Sequence, residues 1–371
     1  MTINLEILII IYALSSLVLI VFSILKLSNS KQTKGRFDLN DLTVIVPFRN
    51  EESRIVHLLN SLKKQTALPF QYLFLNDHSI DKGVGQIHSM LEQQKVIYSI
   101  LDLPEKFQGK KSAIRYAMKA VQTEYFLIQD ADVELPAAYF CNLKELPHAD
   151  LYILPVAMKS KSVFQLFSVL DHLMINAVNW SVSAFYPLTA SGANLIVRKS
   201  TFMELTYSDY KEEFASGDDQ FILRDFRTAE KEILTIGSKR HTVLTESPVS
   251  FKELIDQRVR WAGKTAKVGD GLDLFVGGLA LMYSVSFFLF SLIFLVKGNF
   301  ALAGFVFGVK LGLDILFYSF YFIYQNRVHY LFLLPVMNIV FPLYAVMLAI
   351  LVVFYKPKWK GREIYLTSSK K

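Results

Sequence analysis

Apolar residues in this chain gather at its two ends, and the pattern between them is one of short strands alternating with amphipathic helices. Residues 5–25 form one apolar run with Glu6 near its start. A helix of that length crosses a hydrocarbon core of about 30 Å at about 1.5 Å per residue. The run reads as a retained anchor rather than a cleaved signal peptide. Glu6 stands where a basic segment would precede a signal, the run exceeds a usual signal core, and no small-x-small site precedes Lys26. Residues 274–296, 300–324 and 330–355 are three further runs of spanning length.

Between the ends, β-branched and apolar runs at 42–46, 72–75, 96–101 and 125–128 alternate with helical patterns at 52–64, 81–93 and 110–121. This predicts βα units wound on a mostly parallel sheet, with ligands at the carboxyl ends of the strands. The domain expectation is an anchor at 1–27, a cytosolic α/β domain at 28–270, membrane helices at 271–355 and a basic tail at 356–371.

Composition sharpens this division. The 371 residues are 52% hydrophobic and only 20% charged, which argues against a purely soluble chain. Cys141 is the single cysteine, so an internal disulfide is excluded, and no cluster has zinc spacing; it is expected as a buried small hydrophobe. The net charge of +7 sits largely beside the apolar runs, at Lys26, Lys31, Lys34 and Arg36 and at Arg258, Arg260, Lys264 and Lys267. That bias predicts a multi-pass integral membrane protein with its central domain cytoplasmic, in the plasma membrane if the source is bacterial, and no nucleic-acid partner. Four full crossings would place the basic tail outside. One segment is therefore expected to be re-entrant, and the last run, with Pro335 and Pro342, is the first candidate. Lys310 and Asp314 share a helical face and are expected to pair or to line a cavity.

Polar residues collect where the predicted strands end: Pro47-Phe48-Arg49-Asn50-Glu51-Glu52, Asn76-Asp77-His78-Ser79 and Asp130-Ala131-Asp132. Asn50 and Ser79 suit helix N-caps, and Glu52 and Asp81 suit first helical turns. Capping does not account for two carboxylates in Asp130-Ala131-Asp132 after an apolar strand, a pattern that can hold Mg²⁺ or Mn²⁺ together with substrate phosphates. Asp218 and Asp219, after Gly217, could cap a helix singly; as a pair they suggest a general base. Gln257, Arg260 and Trp261 read either as a membrane-interface anchor or as a clamp for a diphosphate. The aromatic stretch 162–186 reads equally as a core helix and as an interfacial helix that admits a lipid.

The ordered set, with Gly109-Lys110 and Gly192-Ala193-Asn194 added, resembles membrane-bound members of glycosyltransferase family 2 over residues 42–264. The nearest likeness is to ceramide glucosyltransferase-like and processive polysaccharide synthase members, and Trp359-Lys360-Gly361-Arg362 resembles the tail of the former. The resemblance implies a GT-A-type nucleotide-sugar-binding α/β domain, with one N-terminal and about three C-terminal transmembrane or re-entrant helices, that inverts the anomeric centre by direct displacement. It implies that Glu51 and Asp77 hold the nucleoside, Lys110 lies near the diphosphate, and Asp130 and Asp132 approach the ribose and a Mg²⁺ or Mn²⁺ ion, Asp132 as the direct ligand. Ala193 and Asn194 would line the sugar and acceptor region. Asp219 would be the base with Asp218 as the alternative, and Gln257, Arg260 and Trp261 would sit over the diphosphate and acceptor. Asn76 departs from the usual Asp-Asp-x-Ser, losing a carboxylate. The expected reaction moves one sugar from a nucleotide-sugar, a UDP-sugar first, to a membrane lipid hydroxyl. Polysaccharide synthesis is the alternative, and a non-catalytic nucleotide-sugar-binding membrane protein is the reading from another class.

Overall fold

The computed structural model describes residues 2–29, 35–92, 94–206, 218–268, 271–359 and 362–363. Gly217, Lys360 and Gly361 lie outside them. In chain order the elements are α1 (Thr2–Asn29), β1 (Leu42–Phe48), α2 (Ile55–Leu62), β2 (Gln71–Asn76), α3 (Gly83–Leu91), β3 (Tyr98–Asp102), α4 (Gly109–Ala117), β4 (Tyr125–Gln129), α5 (Tyr139–Leu143), β5 (Leu151–Ile153), β6 (Val156–Lys159) and α6 (Val163–Val182). There follow β7 (Asn194–Arg198), α7 (Lys199–Leu205), α8 (Asp218–Thr228), β8 (Ile233–Thr235), β9 (Val243–Glu246), α9 (Phe251–Val268), α10 (Gly271–Val296), α11 (Phe300–Tyr324), α12 (Leu334–Phe354), β10 (Lys358–Trp359) and β11 (Arg362–Glu363). Two compact units emerge. One is built on Gln32–Gln165 and Thr189–Pro248, the other on Met1–Lys31, Leu166–Leu188 and Val249–Glu363.

The first unit is a sheet in the order β3-β2-β1-β4-β7-β5-β8, with β6 and β9 forming a small separate sheet. β1, β2, β3 and β4 run parallel, and β7 is antiparallel to both β4 and β5. The strands are continuous apolar runs because both faces are covered. Val44, Val46, Tyr72, Phe74 and Leu127 face one core cluster, and Ile45, Leu73, Leu75, Phe126 and Ile128 face the other. Strand order reverses between β1 and β4, the place where such sheets open a crevice at their carboxyl edge.

In the second unit, α1, α10, α11 and the stretch Val328–Phe354 are each long and apolar enough to cross a membrane. Their outward side chains are apolar, with Leu14 58% and Leu17 55% exposed, an arrangement suited to lipid and costly in water. The break expected at the last run does not occur. Pro335 falls in the first turn of α12, where a missing N–H costs nothing, and the helix continues through Pro342. Lys310 and Asp314 pair as expected, at 2.6 Å, and Lys310 also donates to Asn338 Oδ1 on α12. Tyr12 on α1 donates its hydroxyl to Asp314. Ser15 lies 3.2 Å from the Tyr283 hydroxyl of α10, and Ser23 lies 2.7 Å from the Ser181 hydroxyl of α6. Polar groups at membrane depth thus find partners on neighbouring helices.

Candidate active site

The loops after β1 and β2 are stitched to each other. Asn50 and His78 take left-handed backbone conformations, with φ of 49° and 57°, which Asn tolerates through its short polar side chain. Asn50 and Ser79, expected as helix caps, bridge these loops instead. The Asn50 N–H donates to Ser79 Oγ at 3.1 Å, and the Ile80 N–H donates to Asn50 Oδ1 at 2.9 Å. Asp81, expected in a first helical turn, lies ahead of α3, whose N-cap is Lys82; it accepts from the Gly83 N–H at 3.1 Å and from the Glu52 N–H at 2.7 Å.

Asp77 is 3% exposed and fixed on several sides. Its Oδ2 accepts from the Gly109 N–H at 3.1 Å, His78 Nδ1 lies 3.0 Å from Oδ1, and Arg49 donates to its carbonyl at 3.0 Å. Gly109 has φ of 82°, a conformation that favours glycine and presents this N–H at the start of α4. Glu51 is paired with Arg54 at 2.7 Å. The departure at Asn76 has a physical reason: its Nδ2 donates to Asp102 Oδ1 at 2.8 Å on the neighbouring strand, where an aspartate would face another carboxylate.

Lys110 leaves the first turn of α4 and reaches the end of β4. Its Nζ is 2.5 Å from Asp130 Oδ1 and 3.9 Å from Asp218 Oδ2, and it donates to the Gly192 carbonyl at 2.8 Å. Burial alone would lower this ammonium, but Asp130, Asp218 and Asp219 outweigh it and hold Lys110 above the ordinary lysine range. A Cβ at Gly192 would lie 2.8 Å from Lys110 Nζ and 2.9 Å from Asp218 Oδ2, so a side chain there would displace these two charged ends. Asp132 accepts from the Thr245 hydroxyl at 3.1 Å. Its carboxyl is pushed up to about 6, first by burial and then by Asp130 and Glu51, against Arg54 and Thr245.

Among the described residues no group of three or more His, Cys, Asp or Glu side chains forms a ready metal cage. The donor set nevertheless fits a hard divalent ion that takes one or two carboxylates and completes its shell with phosphate oxygens and water. Burial and then Asp130 raise the cost of ionising Asp132, and the Lys110 ammonium already stands against Asp130 as a cation would.

α8 opens with the acidic pair. Asp219 Oδ1 accepts from the Gln220 N–H at 2.9 Å and Oδ2 from the Gly192 N–H at 3.2 Å. Gln220 Nε2 donates to Thr189 Oγ1 at 2.6 Å and to the Ala190 carbonyl at 3.2 Å. The start of α8 is therefore bound to the loop before β7. Lys111, which the sequence reading passed over, is buried with its Nζ 3.8 Å from the centroid of Phe221 on α8.

Ala193 is 5% exposed in the hydrophobic core, and Asn194 is fully buried. Asn194 Nδ2 donates to the carbonyls of Pro155 and His241 at 2.9 and 3.0 Å, and its Oδ1 accepts from Tyr139. Neither side chain borders the carboxylates; Gly192 does. Gln257, Arg260 and Trp261 lie on α9 in the second unit. There, Arg258 rather than Arg260 is the deeply buried arginine, at 2% exposure.

The mixed α/β sheet, with acidic strand ends and a second acidic pair at a helix start, has the GT-A type of fold. A mannosyltransferase from Pyrobaculum calidifontis, solved with GDP-Man and Mn²⁺, shares the fold at TM-score 0.50 and 15% identity, over 90% of this chain and 98% of that one. Residues 43–170 match the family model for glycosyl transferase family 2. A teichoic acid poly(glycerol phosphate) polymerase of Staphylococcus epidermidis is 31% identical over 119 residues, 32% of this chain. A 4,4'-diaponeurosporenoate glycosyltransferase of Staphylococcus aureus is 34% identical over 97 residues, 26% of this chain. These matches span only 16% and 25% of the respective relatives.

Proposed function

We propose that the chain is an inverting glycosyltransferase that moves one sugar from a nucleotide-sugar to a hydroxyl of a membrane lipid. The observation that carries this reading is the convergence of Asp130, Lys110, Gly192 and the Asp218–Asp219 pair on one edge of the sheet. The four apolar helices, and a relative named for glycosylating 4,4'-diaponeurosporenoate, support a small membrane-held acceptor over a growing glycan. The relative named as a polymerase favours the alternative, extension of a polymer.

In this reading Glu51 and Asp77 hold the nucleoside, UDP being the first candidate, and Asp130 and Asp132 hold Mg²⁺ or Mn²⁺. The ion supplies positive charge against the diphosphate when bound. Asp219, oriented by the N–H groups of Gly192 and Gln220, accepts the proton of the acceptor hydroxyl. The hydroxyl oxygen bonds to the anomeric carbon as the bond from that carbon to the diphosphate breaks. Lys110 compensates charge on the departing nucleoside diphosphate. The sugar inverts, and no covalent enzyme intermediate is needed.

The test incubates the purified full chain with Mg²⁺ or Mn²⁺, bacterial lipid extract and a panel of radiolabelled UDP- and GDP-sugars. Label entering the organic phase as a single-sugar product is expected. A long water-soluble glycan overturns the lipid acceptor, and no hydrolysis or transfer with any donor overturns the enzyme. The catalytic domain is proposed to be cytoplasmic and the chain multi-pass. Cys141, expected to be buried, is half-buried and so serves as a reporter. Labelling of it by an impermeant maleimide from outside intact cells would refute the orientation.

A further inference from the structure

The loop after β4 carries Asp132 and Glu134, and both are held from β9 within the first unit. The Glu134 N–H donates to the Leu244 carbonyl at 2.8 Å, and the Leu244 N–H donates back to the Glu134 carbonyl at 3.0 Å. Lys159, set beside Glu246 by the pairing of β6 with β9, reaches across the join. Its Nζ lies 2.5 Å from Glu134 Oε2 and 3.5 Å from Glu246 Oε1, and Lys161 Nζ lies 3.0 Å from Glu246 Oε2. Between Leu244 and Glu246 stands Thr245, whose hydroxyl donates to Asp132 Oδ2 at 3.1 Å.

Two backbone bonds and an ion pair already join the loop to β9, so the threonine hydroxyl is not needed for that join. What the hydroxyl sets is the carboxylate. Among the described residues Thr245 is the one hydrogen-bond donor to Asp132, and Oδ1 accepts from none. A carboxylate held through one oxygen keeps the other in a fixed direction, and it loses less side-chain freedom when that second oxygen binds an ion. Asp130 stands two residues earlier, directly after β4, with Lys110 against its Oδ1.

We propose that Thr245 is a positioning residue for the divalent ion: by holding Asp132 Oδ2 it presents Oδ1 to the ion that Asp130 and Asp132 share. The inference rests on the proposed function for the presence of that ion. Thr245 acts through Asp132 and is not itself a ligand.

The test titrates Mn²⁺ calorimetrically, without nucleotide, into the wild-type full chain and into T245V and T245S. Valine keeps the branched shape that suits a strand and loses the hydroxyl, whereas serine keeps the hydroxyl and loses the methyl. Thermal midpoints are measured in EDTA alongside. Loss of an outer partner of a metal ligand costs about 10- to 100-fold in metal affinity. T245V is expected to bind Mn²⁺ more weakly by that factor with its midpoint kept, and T245S to bind as wild type does.

Mn²⁺ affinity in T245V equal to that of wild type would overturn the proposal. So would T245S as weak as T245V, which would assign the effect to the methyl, or a lowered midpoint in T245V and T245S alike, which would assign it to damage of the join. A wild type that binds no Mn²⁺ removes the ion from the proposed function and the positioning role with it. Should the wild type bind Mn²⁺ and transfer no sugar, the function falls by itself, and the titration still decides the role of Thr245.

Discussion

Replacing Lys110 by methionine removes a positive charge from the carboxylate edge at nearly constant side-chain length. The ammonium lies 2.5 Å from Asp130 and 3.9 Å from Asp218. Unit charges about 4 Å apart attract by about 4 kcal/mol at an effective dielectric of about 20. Lys110 is 21% and Asp130 42% exposed, and screening at that exposure reduces the net contribution to about 1–2 kcal/mol. Lys110 and a divalent ion compete for Asp130, so the sign is opposite for metal and for catalysis. Without nucleotide, K110M should bind Mn²⁺ more tightly than wild type by about 5- to 30-fold. Its affinity for UDP and its transfer rate should both fall. Calorimetric titration of Mn²⁺ into the full chain, with and without UDP, reads the first two effects. Mn²⁺ binding that is unchanged or weaker in K110M would refute the competition and with it the placing of the ion at Asp130.

Three further outcomes follow from the site and its supports. Asp219→Asn leaves one acceptor oxygen for two backbone N–H groups, and transfer should fall by about 10²-fold or more with donor binding kept; an active variant would move the base to Asp218. Asn194→Ala orphans buried groups at Pro155, His241 and Tyr139, each costing about 1–3 kcal/mol. It should lower the thermal midpoint and leave Mn²⁺ affinity intact, and an unchanged midpoint would contradict the assigned bonds. His172 is held down to about 3 from its ordinary 6.5, first by burial and then by Arg258 and Arg327. The folded state keeps it neutral while the unfolded state takes up a proton, so stability is full above pH 6.5 and is lost as pH falls toward 3. At pH 5 the loss is about 2 kcal/mol. Thermal inactivation should worsen between pH 7 and pH 5 in wild type and less so in His172→Gln; equal slopes would rule His172 out as the cause.

The legible part of the sequence was the part governed by local pattern. Residues 42–46, 72–75 and 125–128 read as strands because a sheet covered on both faces needs unbroken apolar runs. Asp130 and Asp132 stood out for the same reason, as charges directly after such a run. Long-range geometry was not legible. Nothing local marks Thr245 as the partner of Asp132, 113 positions away. Asn76 looked like a lost carboxylate until the pairing of β2 with β3 set it against Asp102. Resemblance drew attention to Ala193 and Asn194 without saying which way each faces, and at the start of a strand one residue of register decides that. Arg258 could have been separated from Arg260 by helical spacing alone. Spacing sets the two on opposite faces of α9, and only the packing shows that Arg258 is the buried one.

The hydroxyls of α1 also order events in time. Ser23 meets Ser181 across 158 positions, Ser15 meets Tyr283 across 268, and Tyr12 meets Asp314 across 302. As the chain emerges from the ribosome, α1 is made before the central sheet and before each of these partners. Its partners then arrive one after another, first for its C-terminal end and last for its N-terminal end. A chain terminated before α11 lacks the carboxylate that Tyr12 engages, so an unfinished product carries an unsatisfied hydroxyl in the membrane. Completion of synthesis is thereby recorded in the first helix to be made.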